Sequence, residues 1–129
     1  MTVMRQTHIL GWARLWPTLD PAHIRVLRRG AWYPVVAVEE ARFIVDVHPM
    51  RVAVPKAWVE MRKRRPKHFT IVNLPPNERN PVRGSPRDLG RMYAVCPQCS
   101  TRIRILRDDE ETICPRCRHE GDLGWWETG

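Results

Sequence analysis

Cys96-Pro97-Gln98-Cys99 and Cys114-Pro115-Arg116-Cys117 decide how the last third of this chain folds. They hold all 4 cysteines, and residues 100–113 separate them. A Cys-x-x-Cys turn aims two sulfurs at one point, about 2.3 Å from a zinc ion. Two such turns at the ends of a short hairpin supply four thiolates in a tetrahedron. That site is closed, with no open position for water. The pattern predicts one structural Zn2+ held by Cys96, Cys99, Cys114 and Cys117. Iron on the same four sulfurs is the alternative.

Other cysteine chemistries fit less well. A thioredoxin-type redox pair needs one Cys-x-x-Cys on a βαβ frame, and none is present. Haem attachment needs His directly after the second Cys, where Ser100 and Arg118 stand. His119 could compete as a ligand, but two complete pairs make it redundant. Residues 101–106 (TRIRIL) read as a strand with Ile103 and Ile105 on one face and Arg102 and Arg104 on the other. Asp108 to Glu111 read as the hairpin turn, Thr112-Ile113 as the return, and residues 124–127 (GWWE) as a third strand. The whole pattern resembles a zinc ribbon, a small three-stranded module with two Cys-Pro-x-Cys knuckles. The resemblance implies backbone amides donating to the sulfurs. It also implies a left-handed residue after each pair, often Gly. Here Ser100 and Arg118 fill those places, and Arg118 could fold over the site to ease its negative charge.

Upstream, composition points to a mainly β chain. The 129 residues include 12 prolines, and 43% are hydrophobic. That suits short strands and turns rather than long helices. The expected organisation is an arm or short helix over 1–20, a small β domain over 21–72, a linker over 73–92 and the cysteine module over 93–129. Within 1–20, Ile9, Trp12, Leu15 and Trp16 recur at roughly helical spacing, and a short helix is favoured over an arm that orders only on a partner. Residues 24–29, 31–38, 42–47, 51–54, 57–61 and 68–72 read as about six short strands, as in a small barrel or sandwich. Residues 54–60 (VPKAWVE) resemble the end of an SH3-like barrel, where a proline opens a 3₁₀ turn into a last strand. The resemblance implies a nucleic-acid-binding or ribosome-binding branch of that fold rather than a polyproline binder, since the acidic loop of peptide-binding members is not evident.

Net charge is +8, and Arg outnumbers Lys 19 to 3. Residues 1–92 carry 17 basic against 7 acidic side chains, and residues 93–129 carry 5 against 7. The positive surface therefore lies outside the cysteine module. Arg-rich surfaces suit bidentate phosphate contact, so nucleic acid is the expected partner. Arg62, Lys63, Arg64, Arg65 and Lys67 form one basic run, broken as a helix by Pro66. Either it is a solvated loop or it contacts phosphate. Arg79, Arg83, Arg87 and Arg91 recur in the Pro-rich linker, which reads as a semi-stiff spacer or a basic strap along a nucleic-acid backbone. Trp125 and Trp126 would face opposite ways on a strand, so one covers the hairpin. The other docks on the N-terminal domain, stacks on a base or anchors a protein interface.

Three function classes follow. An enzyme is least favoured, with no catalytic residues assigned. The predicted metal is closed, no Gly-rich phosphate loop exists, and the five histidines show no triad spacing. A nucleic-acid-binding protein of weak sequence specificity is the leading expectation. An adaptor or accessory subunit of a larger assembly is the alternative. No run of about 20 apolar residues exists to span a bilayer, and no leader is visible in residues 1–16. Paired cysteines then suit a reducing cytoplasm.

Overall fold

A computed structural model describes residues 8–17, 27–74 and 91–127, and among these the chain is mainly β with no α-helix. Strands β1 (Gly11–Leu15), β2 (Tyr33–Val38), β3 (Arg42–Val47), β4 (Met50–Pro55) and β5 (Val59–Arg62) form an open antiparallel sheet in the order β4-β3-β2-β1-β5. The β4–β5 connection is the expected one: Pro55 leads into a 3₁₀ turn, Lys56–Trp58, and then into the last strand. Proline fixes the entry, and the turn carries the chain over to pair with β1. Ala13, Leu15, Leu27, Val35, Val45, Val54 and Val59 pack as the core of this sheet.

The first segment corrects one expectation. Gly11–Leu15 is a strand, not a helix, and pairs with β2 on one side and β5 on the other. Between Gly11 and Pro17 there is room for little more than one helical turn, which cannot repay its nucleation cost. As a strand, the segment gains backbone partners on both edges. It also sends Ala13 and Leu15 into the core and turns Trp12 and Arg14 the other way. A second correction concerns 24–29: residues 27–29 form a bend and a turn rather than a strand, and 24–26 lie outside the described residues.

The second sheet joins β6 (Thr70–Asn73), β7 (Met92–Val95) and β8 (Arg102–Ile103) in that order, all antiparallel. The strand expected at 68–72 thus belongs with the cysteine module. Beside it, β9 (Glu111–Ile113) and β10 (Glu120–Asp122) form a two-stranded ribbon. The expected β8–β9 hairpin is replaced by these two separate pairings. The Leu106 N–H donates to Asp109 Oδ2 (2.8 Å), and the Asp109 N–H donates to the Leu106 carbonyl (3.0 Å). That turn leads the chain to where the Glu110 carbonyl accepts from Leu123 (2.8 Å), so β9 pairs with β10. Residues 125–127 form a 3₁₀ turn rather than the expected strand, because the Trp125 N–H bonds the Leu123 carbonyl and the Glu127 N–H bonds that of Gly124.

Apolar and ionic contacts fuse the sheets. Ala31, Val72, Leu74, Tyr93 and Val95 form a cluster between them. Gly30 has φ +79°, and a Cβ there would stand 2.6 Å from Val72, so only glycine fits. On the other face of β1, Arg14 is only 4% exposed. Its guanidinium meets Glu60 (3.1 Å) and Glu127 (3.3 Å) and lies over the Trp32 ring (5.0 Å). Arg62 also pairs with Glu127 and covers the same ring (5.1 Å). His68 Nε2 donates to Glu127 (2.8 Å). One carboxylate from the end of the chain thus ties β1, β5 and the segment entering β6.

Burial opposes ionisation of Glu127, but hydrogen bonds from Arg62 and His68 and the charge of Arg14 outweigh it and hold its pKa below the usual carboxylate value. A depressed folded-state pKa contributes stability above the unfolded value, and that stability is lost as pH falls through the lower one. We therefore expect the urea midpoint to drop on acidification. Glu127→Gln should lower stability near pH 7 by about 2 kcal/mol, as for hydrogen bonds to charged groups, and should flatten the acid limb. An acid limb as steep in the variant as in the parent would contradict this role.

Candidate metal centre and the basic loop

Each Cys-x-x-Cys turn is built by the same pair of backbone bonds. The Cys96 N–H donates to Thr101 (2.9 Å) and the Ser100 N–H to Cys96 (3.0 Å). The Cys114 N–H donates to His119 (2.8 Å) and the Arg118 N–H to Cys114 (2.9 Å). Closing these turns drives Ser100 to φ 62° and Arg118 to φ 68°, the left-handed positions anticipated for them. The two knuckles bring Cys96, Cys99, Cys114 and Cys117 together, with all four sulfurs within 4.8 Å of one another. Cys96 and Cys117 stand 3.6 Å apart and Cys99 and Cys114 3.5 Å. These separations are far from the disulfide length of about 2.05 Å. They are close to the ~3.8 Å edge of a tetrahedron with ~2.3 Å metal–sulfur bonds. The four cysteines are positioned to bind one metal ion.

The surroundings treat the sulfurs unequally. The Gln98 N–H points at Cys96 Sγ (3.4 Å). The Thr101 hydroxyl lies 3.0 Å from Cys99 Sγ. Burial and neighbouring thiols push Cys96 up to about 12 against its backbone hydrogen bonds. Cys99 is also desolvated, but hydrogen bonds from Thr101 prevail and bring it down to about 7. A cation would replace the protons that this uneven set otherwise shares. Cys96 and Cys114 are fully buried with Phe69, Ile71, Ile103, Ile105 and Leu123, so one side of the metal site is part of the core of its sheet, while Cys117 on the other side is exposed. The inward placing of Ile103 and Ile105 is the one the alternation predicted. His119 is no ligand in this arrangement. Its Nε2 donates to the Lys67 carbonyl (2.7 Å), and its ring packs on Phe69.

Arg65, one of the basic run expected to contact phosphate, lies against the first knuckle. Its Nε donates to the Pro97 carbonyl (2.8 Å) and a terminal nitrogen to that of Gln98 (2.7 Å). Its guanidinium also lies 4.3 Å from the Trp12 ring centroid. Burial lowers its pKa, and the charges of Cys96, Cys117 and Cys99 oppose that shift. It is the cation beside the sulfurs, while Arg118 is exposed. The preceding basic run gave no signal for this role. Arg28 adds a bond from outside the run, to the Ser100 carbonyl (2.8 Å).

The basic loop 62–68 is held along its length. Arg62 and His68 bind Glu127 at its two ends, Arg65 clasps the first knuckle, Pro66 is buried, and the Lys67 carbonyl is taken by His119. Lys63, Arg64 and Lys67 project into solvent, and no carboxylate among the described residues pairs with them. Arg91 is exposed and donates to the Leu74 carbonyl (3.3 Å), while Arg79, Arg83 and Arg87 lie outside the described residues. The two tryptophans diverge as expected, though from a 3₁₀ turn. Trp125 packs on the metal-site core and donates to the Asp109 carbonyl (2.6 Å), whereas Trp126 is 66% exposed. Among the described residues no helix is long and apolar enough to cross a membrane. Compared with family models, curated proteins and solved structures, the chain has no match.

Two substitutions test the centre. Arg65→Met keeps the packing stem but removes the charge and both knuckle bonds. It should weaken metal affinity by about tenfold, the scale of outer-shell partners, in a competitive chelator titration. Ser100→Gly relieves a left-handed residue at a cost of roughly 1–2 kcal/mol, part of which glycine returns as backbone entropy. The metal-loaded variant should unfold at a higher urea concentration than the parent. A lower midpoint would show that Ser100 contributes something beyond its backbone.

Proposed function

We propose that the chain is a non-catalytic, zinc-containing protein that binds the phosphate backbone of nucleic acid. The metal is best read as Zn2+: four sulfurs at tetrahedral spacing with no open position suit a structural zinc. The strand order β4-β3-β2-β1-β5, with the 3₁₀ turn before β5, favours the SH3-like reading of the first sheet, and the paired knuckles favour the ribbon reading of the second. One observation carries the functional reading: loop 62–68 is anchored at its ends and middle but leaves Lys63, Arg64 and Lys67 unneutralised. A fixed loop loses little entropy on binding, so its cations serve a polyanion better than a mobile tail would. The exposed Arg91 and the linker arginines would extend the same contact.

Such binding is driven by counterion release and is weakly sequence-specific. Titration of labelled oligonucleotides at several salt concentrations should give a log–log slope of about −2 or steeper. Combined Lys63→Gln, Arg64→Gln and Lys67→Gln should reduce that slope by about 2 without loss of bound metal. Absence of binding at low salt to any nucleic acid would remove this reading. The adaptor reading would then lead, since Leu106 (68% exposed) and Ile113 (53% exposed) leave apolar surface on the metal-bearing half.

A further inference from the structure

Trp126 is a large apolar side chain that folding leaves uncovered, on a backbone that is not free to move. Its neighbour Trp125 is packed into the metal-site core and bonded to Asp109, and its other neighbour, Glu127, is bound by Arg14, Arg62 and His68. The indole lies beside the His68 imidazole, with ring centroids 5.1 Å apart. That imidazole is itself fixed. Nε2 bonds Glu127, and Gly124 sits so close that an added Cβ would be 2.8 Å from His68 Cδ2. His68 follows Lys67 directly, so the ring pair borders the projecting cations of the basic loop. Burying an indole stabilises a fold substantially, and its exposure here is not explained by packing.

We propose that Trp126, backed by His68, is a stacking platform for an unpaired base, and that the polyanion bound by the loop is single-stranded nucleic acid. This rests on the nucleic-acid reading above. The charge complementarity of Lys63, Arg64 and Lys67 selects a phosphate-bearing occupant over an apolar peptide. A duplex keeps its base faces stacked, so only a single strand can present one to the indole while its phosphates meet the loop. Every base has such a face, so the platform adds affinity without a sequence code.

The test compares labelled 12-nucleotide oligo(U), 12-nucleotide oligo(dT) and a 12-base-pair duplex against the metal-loaded full chain. Trp126→Ala should weaken binding to both single strands about tenfold and leave the duplex unchanged, with bound metal and circular dichroism as controls for folding. Trp126→Phe, which keeps an aromatic face, should recover part of the loss. The platform is overturned, and the phosphate reading survives, if Trp126→Ala leaves single-strand and duplex binding in the parent's ratio while the triple substitution at 63, 64 and 67 weakens both. Failure of the parent to bind any of the three at low salt overturns both proposals and leaves Trp126 as a protein contact.

Discussion

The carboxylate of Glu127 is the point on which the two halves of the structure turn. It sits among Arg14 of β1, Arg62 of β5 and His68 at the entry to β6, and is itself mostly withdrawn from solvent. Buried ion pairs are weak evidence of stability, because desolvation consumes much of their attraction. Their value is in specifying one arrangement. Two guanidiniums stacked over Trp32 cannot remain in that site without their carboxylates, so Glu60 and Glu127 must both be in place. The second sheet therefore docks on the first in a single way, and the apolar cluster of Ala31, Val72 and Val95 closes behind it.

The cysteine centre plays the matching part at the other end of the basic loop. A unit as small as the second sheet buries too little apolar surface to be secure alone. Its two most buried cysteines are core residues as well as ligands, so holding the metal and packing the core are one event. The first knuckle then passes that order outward. Its carbonyls at 97 and 98 receive Arg65, which also covers Trp12 in β1. The loop between these anchors has little freedom left. Its remaining cations face outward because the inward directions are taken.

What was legible in the sequence was local. Ligand spacing within a knuckle, the alternation at Ile103 and Ile105, and the proline before the Lys56–Trp58 turn each depend on neighbours a few residues away. What was not legible depended on partners far along the chain. Nothing near Arg14 announces Glu60 or Glu127. The apolar spacing at 9, 12, 15 and 16 suits a helix equally well until β2 and β5 are there to offer a slot. Residues 124–127 have the composition of a strand, but Leu123 and Gly124 are already committed to Glu110 and Phe69, and the chain turns instead. Arg65 could not be distinguished from Lys63 or Arg64 by composition. Only the position of the knuckle carbonyls separates a clamp from a free cation.

The central claim is that metal held by four cysteines orders the loop 62–68 through the knuckle it clasps. Hydrogen–deuterium exchange resolved to a peptide spanning residues 62–73 tests it most directly, in the metal-loaded chain and after chelation. Removing the metal should release protection in that peptide together with residues 91–127, while β2 to β4 keep theirs, and re-addition of Zn2+ should restore it. Unchanged exchange over 62–73 after the metal has left would contradict the account.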